Sequence, residues 1–246
     1  MTDSTDPVPV TVVSGPLGAG KTTLVNRLLT DPGDRRLAVV VNDMGEVNVD
    51  AERLGREGED GVVDLSNGCI CCRLGDDLVA QADRLARERT VDCIVVEASG
   101  ISEPLPIART LTDAEGAFCL DTTVSVVDAY GFAKAFDPDE RLPEAAPEPE
   151  RPLTDVMVDQ VEFCDVLLLN KCDLLPDDEL GRVEAAVREL QPTADLYRTT
   201  YGEVPSETVL ATGRFDIERA RRSPGWRRAL AGEGHDHDEP AAAAHG

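Results

Sequence analysis

The sequence predicts an α/β fold in which helices cover both faces of a mostly parallel β-sheet. Short apolar runs alternate with helical segments along the chain, as expected for buried strands joined by crossover helices. The octapeptide Gly15-Pro16-Leu17-Gly18-Ala19-Gly20-Lys21-Thr22 follows the first apolar run and matches the GxxxxGK[ST] pattern of a phosphate-binding loop. Together these features indicate the P-loop NTPase class of α/β folds.

Six short apolar runs are the predicted strands, since each is too short for a buried helix. They are residues 8–13, 37–41, 62–65, 93–96, 123–127 and 166–169. Two segments have apolar residues at helical spacing and are the clearest predicted helices, residues 22–30 and 76–88. This alternation predicts the mostly parallel sheet.

The chain of 246 residues has 48 acidic and 24 basic side chains, a formal net charge of -24. Such a surface repels nucleic-acid phosphates and anionic membranes, so neither is an expected partner. No apolar run approaches the roughly 20 residues that span a bilayer, and the polar start is unlike a signal peptide. We therefore expect a cytoplasmic protein, and the acidic excess predicts adaptation to a salty cytoplasm that screens repulsion between carboxylates.

The octapeptide predicts a site for nucleotide phosphates. Its glycines let backbone N–H groups face an anion, and the following helix adds its positive N-terminal end. Lys21 is expected to reach the β and γ phosphates, and the Thr22 hydroxyl is expected to bind Mg²⁺. Residues from Gly15 to Thr22 are therefore the predicted phosphate and Mg²⁺ site.

Asn170-Lys171-Cys172-Asp173 directly follows the last predicted strand and forms an NKxD motif. An aspartate beside a purine accepts hydrogen bonds from N1–H and the exocyclic amine of guanine, whereas adenine offers no such pair of donors. Asn170, Lys171 and Asp173 thus predict a guanine site. With the phosphate loop, this motif favours GTP over ATP.

Residues 69–72 read Cys69-Ile70-Cys71-Cys72, a CxCC motif that follows a predicted strand. Three thiolates can bind Zn²⁺ or a similar cation and leave a position for a fourth ligand. An incomplete ligand set suits a metal that arrives and leaves. Vicinal thiols also form redox-active dithiols, which is the alternative. The remaining cysteines are predicted to be packing residues, namely Cys93, Cys119, Cys164 and Cys172.

In their order along the chain, these motifs resemble those of CobW-type metal-trafficking GTPases, which belong with the HypB and UreG proteins. The resemblance rests on the phosphate loop, residues 42–50, the CxCC motif, Glu97-Ala98-Ser99-Gly100 and the NKxD motif. It implies GTP hydrolysis coupled to delivery of a metal, zinc or cobalt, to a client apo-metalloprotein.

The resemblance also extends the phosphate and Mg²⁺ site from Gly15 to Thr23 and implies roles for acidic residues. Glu97 matches the Walker B position, which holds Mg²⁺ through water or places the attacking water; a solvent-facing carboxylate is the alternative. Asp43 and Glu46 match a nucleotide-responsive switch, and Asp43 joins Lys21 and Glu97 as a catalytic residue. Glu46 is expected to bind either the metal held by the CxCC motif or Mg²⁺, with a plain surface carboxylate as the alternative.

The implied mechanism couples nucleotide to metal. GTP and Mg²⁺ order the segment around Asp43 and Glu46, which reshapes the cysteine pocket, and hydrolysis then releases the metal. A GTP-dependent metal or redox sensor using the same thiols is the alternative function. A small-molecule kinase is disfavoured by the NKxD motif. The motifs specify neither the client nor the oligomeric state.

Along the chain we expect a disordered N-terminus at residues 1–7, a GTPase domain at 8–230 and an acidic tail at 231–246. A Pro- and Glu-rich loop is predicted at residues 137–152. The resemblance implies a second, smaller domain after a histidine-rich stretch, whereas this sequence ends in the tail that carries all three histidines. We expect that domain to be absent or truncated.

Overall fold

In the computed structural model, which describes residues 6–42, 62–64, 71–88, 90–135 and 153–222, seven strands form one sheet flanked by helices. The strands are β1 (Val8–Ser14), β2 (Leu37–Asn42), β3 (Val62–Asp64), β4 (Cys93–Ala98), β5 (Phe118–Asp128), β6 (Val166–Asn170) and β7 (Asp195–Arg198). The helices are α1 (Lys21–Thr30), α2 (Cys71–Glu88), α3 (Pro104–Asp113), α4 (Ala129–Ala135), α5 (Leu153–Glu162), α6 (Asp177–Leu190) and α7 (Ile217–Arg222). Short 3₁₀ turns lie at Cys172–Leu174 and Ser206–Thr208.

Every strand pairing in these ranges is parallel, and the strand order is β3-β2-β4-β1-β5-β6-β7. β1 therefore lies between β4 and β5. The connection after β1 leads to β2, toward the β3 end of the strand order. The connection after β4 leads to β5, toward the β7 end. A crevice at the carboxyl end of the strands is the usual ligand site at such a switch point, and the predicted phosphate loop begins there.

Helices pack on both faces because neighbouring side chains of a strand point to opposite sides. In β4, Val95 packs with Leu24 and Leu28 of α1 in one core cluster. Ile94 and Val96 instead pack with α2 and α3 in a second cluster, and a third cluster joins α4, α5 and α6 to β6. Burial on both faces explains why these strands are continuously apolar. The predicted fold class is confirmed.

All six predicted strands are present, but some elements differ from the prediction. β5 begins at Phe118 rather than at residue 123, because Asp121 interrupts the apolar pattern without ending the pairing with β1. α2 begins at Cys71 rather than at residue 76, and the poor helix former Gly75 conceals this start. The sequence prediction misses β7 because this strand at the sheet edge is only partly buried.

None of the helices in the described ranges is long and apolar enough to cross a bilayer. The predicted loop at residues 137–152 and the predicted tail at 231–246 lie outside the described residues, as do residues 1–5 of the predicted N-terminal segment. The division of the chain into these regions stays a prediction.

Candidate functional site

The loop between β1 and α1 is shaped by glycines in backbone conformations that other residues rarely adopt. Gly15, Gly18 and Gly20 have φ angles of 139°, 75° and 109°. A Cβ atom at Gly15 would lie 2.1 Å from the Val126 carbonyl oxygen, and one at Gly20 would lie 2.4 Å from Asn170 Nδ2. Glycine is therefore needed for both the turn and the close packing, and the resulting loop suits the inward-facing N–H groups of an anion site.

Lys21, the first residue of α1, is buried against the loop that precedes it. Its ammonium donates hydrogen bonds to the carbonyl oxygens of Gly15 at 2.9 Å and Pro16 at 3.2 Å. The positive charge is thus held beside the loop and near the positive end of the α1 dipole. Thr23, which the sequence also assigns to this site, lies exposed on α1.

Thr22 and Glu97 are brought together from α1 and the end of β4. The Thr22 hydroxyl donates to Glu97 Oε1 at 2.7 Å, and Glu97 is only 6% exposed. A hydroxyl and a carboxylate oxygen next to a phosphate loop are ligands of the kind that Mg²⁺ prefers. The donor set present therefore fits Mg²⁺.

Asn170, at the end of β6, links the phosphate loop to a turn that follows β7. Its Nδ2 donates to the Ala19 carbonyl at 2.8 Å. Its Oδ1 accepts hydrogen bonds from the Thr199 hydroxyl at 3.1 Å and from the Gly202 N–H at 3.0 Å. Because both ends of this buried amide are bonded, its orientation is fixed and the two loops are held at one spacing.

Lys171 and Asp173 follow β6 and lie at the edge of the sheet formed by the carboxyl ends of the strands, where the phosphate loop also begins. Lys171 has a φ of 60°, which is uncommon outside glycine, and its Nζ donates to Asp128 Oδ2 at 2.7 Å. Asp173 lies in the 3₁₀ turn after β6 and is exposed. Its carboxylate can therefore accept hydrogen bonds from a ligand at this edge.

Two features of this edge are missed by the sequence motifs. Asp128 ends β5, and its Oδ1 accepts hydrogen bonds from the N–H groups of Tyr130 and Gly131 at 3.0 and 3.1 Å, while its other oxygen holds Lys171. The turn after β7 has left-handed φ angles of 53° at Tyr201 and 65° at Gly202. The sequence signal for the first feature is an aspartate at the end of an apolar run, and the signal for the turn is a Tyr-Gly pair.

The predicted catalytic residue Asp43 and the predicted metal ligands Glu46 and Cys69 lie outside the described residues. Cys71 and Cys72 begin α2. Among the side chains that the structure does describe, no group of three or more His, Cys, Asp or Glu could hold a metal ion. The metal site stays a prediction.

The four other cysteines agree with their assignment as packing residues. Cys93 and Cys164 are buried, Cys119 and Cys172 are partly buried, and all four are free thiols. Burial raises the pKa of Cys93 to about 11 and raises the pKa of the other three thiols as well. A protonated thiol is a weak nucleophile and a poor metal ligand, so these cysteines differ from the ligands that a metal site needs.

This arrangement of loop, Thr–Glu pair and strand-end Asn-Lys motif can be compared with known proteins. The family model of the CobW/HypB/UreG nucleotide-binding domain matches residues 9–198, from β1 to the end of β7. The chain belongs to this family. The resemblance seen in the motifs is therefore confirmed.

Relatives of this CobW/HypB/UreG chain include Zinc-regulated GTPase metalloprotein activator 1 of Dictyostelium discoideum, which is 41% identical over 92% of this chain and 52% of the relative. Zinc chaperone CobW of Sinorhizobium sp is 34% identical over 94% of this chain and 71% of the relative. The chain thus spans about half the length of the Dictyostelium protein.

Solved structures share the fold of this CobW/HypB/UreG chain. A zinc-bound triple mutant of the YjiA GTPase superposes with a TM-score of 0.59 and 24% identity, covering 86% of this chain and 63% of that one. HypB from Helicobacter pylori in complex with nickel gives a TM-score of 0.53 and 12% identity, covering 97% of this chain and 92% of that one. At these identities the likeness shows the fold alone.

Proposed function

We propose that this chain is a GTP-hydrolysing metallochaperone that binds zinc or cobalt and transfers it to a client metalloprotein in a GTP-dependent manner. The observation that carries the proposal is the hydrogen bond from Asn170 to the phosphate loop, because it joins the NKxD motif to the phosphate loop, the two halves of the proposed guanine-nucleotide site. Family membership supports this assignment. The names of two relatives, a zinc-regulated GTPase metalloprotein activator and a zinc chaperone, support the metal part.

In this proposal, residues 15–23 bind the phosphates, and Lys21, Glu97 and Asp43 are the catalytic residues. Lys21 neutralises charge on the β and γ phosphates, which is most of what phosphoryl transfer requires. Thr22 and Glu97 would hold Mg²⁺, which supplies further neutralisation when bound. Placing the attacking water is the alternative role that we propose for Glu97, whose carboxylate lies at the carboxyl end of β4 beside α1.

The guanine base is proposed to bind against the NKxD motif. Asp173 is exposed at the edge of the sheet and accepts hydrogen bonds from the N1–H and the exocyclic amine of the base. Lys171, held by Asp128, offers its apolar stem to the face of the base. Asn170 keeps this pocket at a fixed distance from the phosphate loop.

The transferred metal is proposed to bind Cys69, Cys71 and Cys72, with Glu46 as an oxygen ligand. Cys71 and Cys72 begin α2, and the positive end of a helix dipole favours thiolate charge. β2 ends at Asn42, which pairs with Ala98 of β4. The carboxyl end of β2 therefore lies at the edge of the sheet that carries Glu97. Asp43 and Glu46 follow Asn42 directly in the sequence, which supports the proposed coupling between the metal and nucleotide sites.

Phosphate release in the presence of Mg²⁺ tests the nucleotide part. We expect hydrolysis of GTP in preference to ATP, and we expect Asp173→Asn to weaken GTP binding by about tenfold or more. Asp177→Asn is the matched control, because Asp177 is an exposed residue at the start of α6. ATP hydrolysis as efficient as GTP hydrolysis would show that the guanine assignment is wrong.

Transfer to an apo-enzyme tests the carrier part. Zinc-loaded protein is mixed with an apo-form of a zinc enzyme, and the recovered activity of that enzyme is measured with GTP, with GDP and without nucleotide. The proposal expects the fastest recovery with GTP. A sensor would retain its zinc in all three mixtures, so equal and negligible recovery would overturn the carrier assignment.

We also propose that residues 8–230 form the GTPase domain and that residues 231–246 form an acidic tail. The packing of Ala220 in α7 against Leu105 in α3 supports a domain that extends at least to α7. Limited proteolysis is expected to trim the tail and to leave this domain intact. Stable cleavage before α7 would contradict the boundary.

A further inference from the structure

The segment after β4, residues 99–103, lies directly against the phosphate loop; we call it the β4–α3 loop. A Cβ atom at Gly100 would lie 2.6 Å from the Leu17 nitrogen and 2.8 Å from the Leu17 Cα, so a residue larger than glycine would force one loop to move. Glu97, just before this segment, is bonded to Thr22. A displacement of Gly100 is therefore transmitted to the phosphate loop by direct contact.

Gln160 of α5 holds the β4–α3 loop. Its Nε2 donates to the Gly100 carbonyl at 3.3 Å and to the Ser102 carbonyl at 3.0 Å. Gln160 is fully buried, so water does not compete for these bonds. A single amide thus bonds to the carbonyl groups on both sides of Ile101.

Two buried polar atoms at this contact have no hydrogen-bond partner among the described residues, Gln160 Oε1 and Ser102 Oγ. Buried polar groups in proteins are normally paired, and leaving them unpaired is costly. The amide of Asn170, by contrast, is bonded at both ends. A shift of the β4–α3 loop that pairs the two atoms would recover this cost. The contact therefore suits a β4–α3 loop that has two positions better than one that has a single position.

We propose that Gln160 is a positioning residue that sets the place of Gly100 against the phosphate loop and thereby the preference of the site for a nucleoside triphosphate over a diphosphate. This inference rests on the proposed GTPase function. The phosphate loop holds whichever nucleotide is bound, so an element packed against that loop can add to the discrimination between triphosphate and diphosphate. The β4–α3 loop makes this contact, and Gln160 determines its position.

The test compares Gln160→Met, which keeps the side-chain volume but loses the donor, with Gln160→Glu, which replaces the donor by an acceptor facing two carbonyls. Fluorescent GDP and a fluorescent non-hydrolysable GTP analogue are titrated into each full-length variant. We expect the ratio of the two dissociation constants to change by about fivefold or more, the effect of one buried hydrogen bond, with most of the change in the triphosphate analogue.

Gln191→Met is the matched control. Gln191 also donates from its Nε2 to two carbonyls, those of Glu162 at 2.6 Å and Cys164 at 3.1 Å, but neither carbonyl belongs to the β4–α3 loop. A structural role alone would lower the melting temperature in Gln160 and Gln191 variants and leave the nucleotide ratio unchanged in both. A ratio that shifts no more in the Gln160 variants than in Gln191→Met would overturn the inference.

Hydrogen exchange on the wild-type chain tests the inference without a variant. Amides of the β4–α3 loop and of residues 156–162 are expected to change protection together between the GDP and triphosphate-analogue states, and a change in the loop with none in α5 would contradict the proposal. If the wild-type chain prefers adenine nucleotides, the guanine assignment fails. The same ratio is then measured with ADP and an ATP analogue, so the two failures are distinguishable.

Discussion

At the residue scale, the candidate phosphate site depends on polar side chains that the backbone already orients. Lys21 is bonded to two carbonyls of its own loop, and Thr22 is bonded to Glu97. Groups that are held in place before a ligand arrives lose less entropy when it binds. Substitutions at these positions should therefore affect nucleotide binding more than folding.

Lys21→Ala is expected to reduce GTP hydrolysis by about 10²–10³-fold, because it removes the charge that faces the phosphates. Lys134→Ala is the matched control, since the Lys134 ammonium lies 4.6 Å from the centre of the Tyr130 ring on α4, outside the proposed site. Steady-state phosphate release and circular dichroism of both variants make the comparison. Equal activity in the two variants would remove Lys21 from the proposed catalytic group.

Cys93 makes stability depend on pH in the alkaline range. Burial raises the pKa of its thiol from 9.0 to about 11, so the folded protein keeps the proton while the unfolded chain loses it. The resulting stabilisation is complete below pH 9 and is lost as the pH rises toward 11, by at most about 2–3 kcal/mol. Urea unfolding between pH 8 and 11 should show that the free energy of unfolding falls less steeply with pH in Cys93→Ala than in the wild-type chain. Parallel pH dependences in the two proteins would contradict an origin in Cys93.

At the element scale, the phosphate loop requires glycine for two separable reasons, backbone conformation and space. Gly20 and Gly213 both have positive φ angles, but a Cβ at Gly20 would collide with Asn170 Nδ2 whereas Gly213 has open space. Gly213→Ala should therefore cost only the strain of its conformation, about 1 kcal/mol. Gly20→Ala should cost about 1–3 kcal/mol more, because it also breaks the buried bonds of Asn170.

Urea unfolding gives the free energies of these two variants, and titration with fluorescent GDP gives their affinities. We expect Gly20→Ala to weaken GDP binding and Gly213→Ala to leave it near the wild-type value. Equal destabilisation by both substitutions would mean that the contact between Gly20 and Asn170 is unimportant.

The sequence predicts elements well where burial on both faces makes a strand continuously apolar, as in β4 and β6. It fails at β7, whose burial is partial, because edge strands leave little apolar signal. Within the candidate site, the residues of the octapeptide and Asn170 are recognised from local patterns. Gln160 is not, because its role arises from packing α5 against Gly100 and Ser102, which are distant in sequence.

At the scale of the whole molecule, the dominant feature is the net charge of -24. Repulsion between carboxylates opposes the compact state, and dissolved salt screens that repulsion. The screening length falls from about 10 Å at 0.1 M salt to about 3 Å at 1 M. We expect circular dichroism to show a more stable fold in about 1 M KCl than at low salt. Sucrose, which carries no charge, is the control, and equal stability at both salt concentrations would contradict the predicted adaptation to salt.

Guanine nucleotide is proposed to control metal binding, and zinc titration in the two nucleotide states tests this coupling most directly. We expect zinc affinity with a non-hydrolysable GTP analogue to differ by about fivefold or more from that with GDP, and zinc to shift the two nucleotide affinities reciprocally. Cys71→Ser with Cys72→Ser should lose this zinc binding, whereas Cys119→Ser should keep it. Unchanged zinc affinity in the double variant, or equal zinc affinity in the two nucleotide states, would contradict the account.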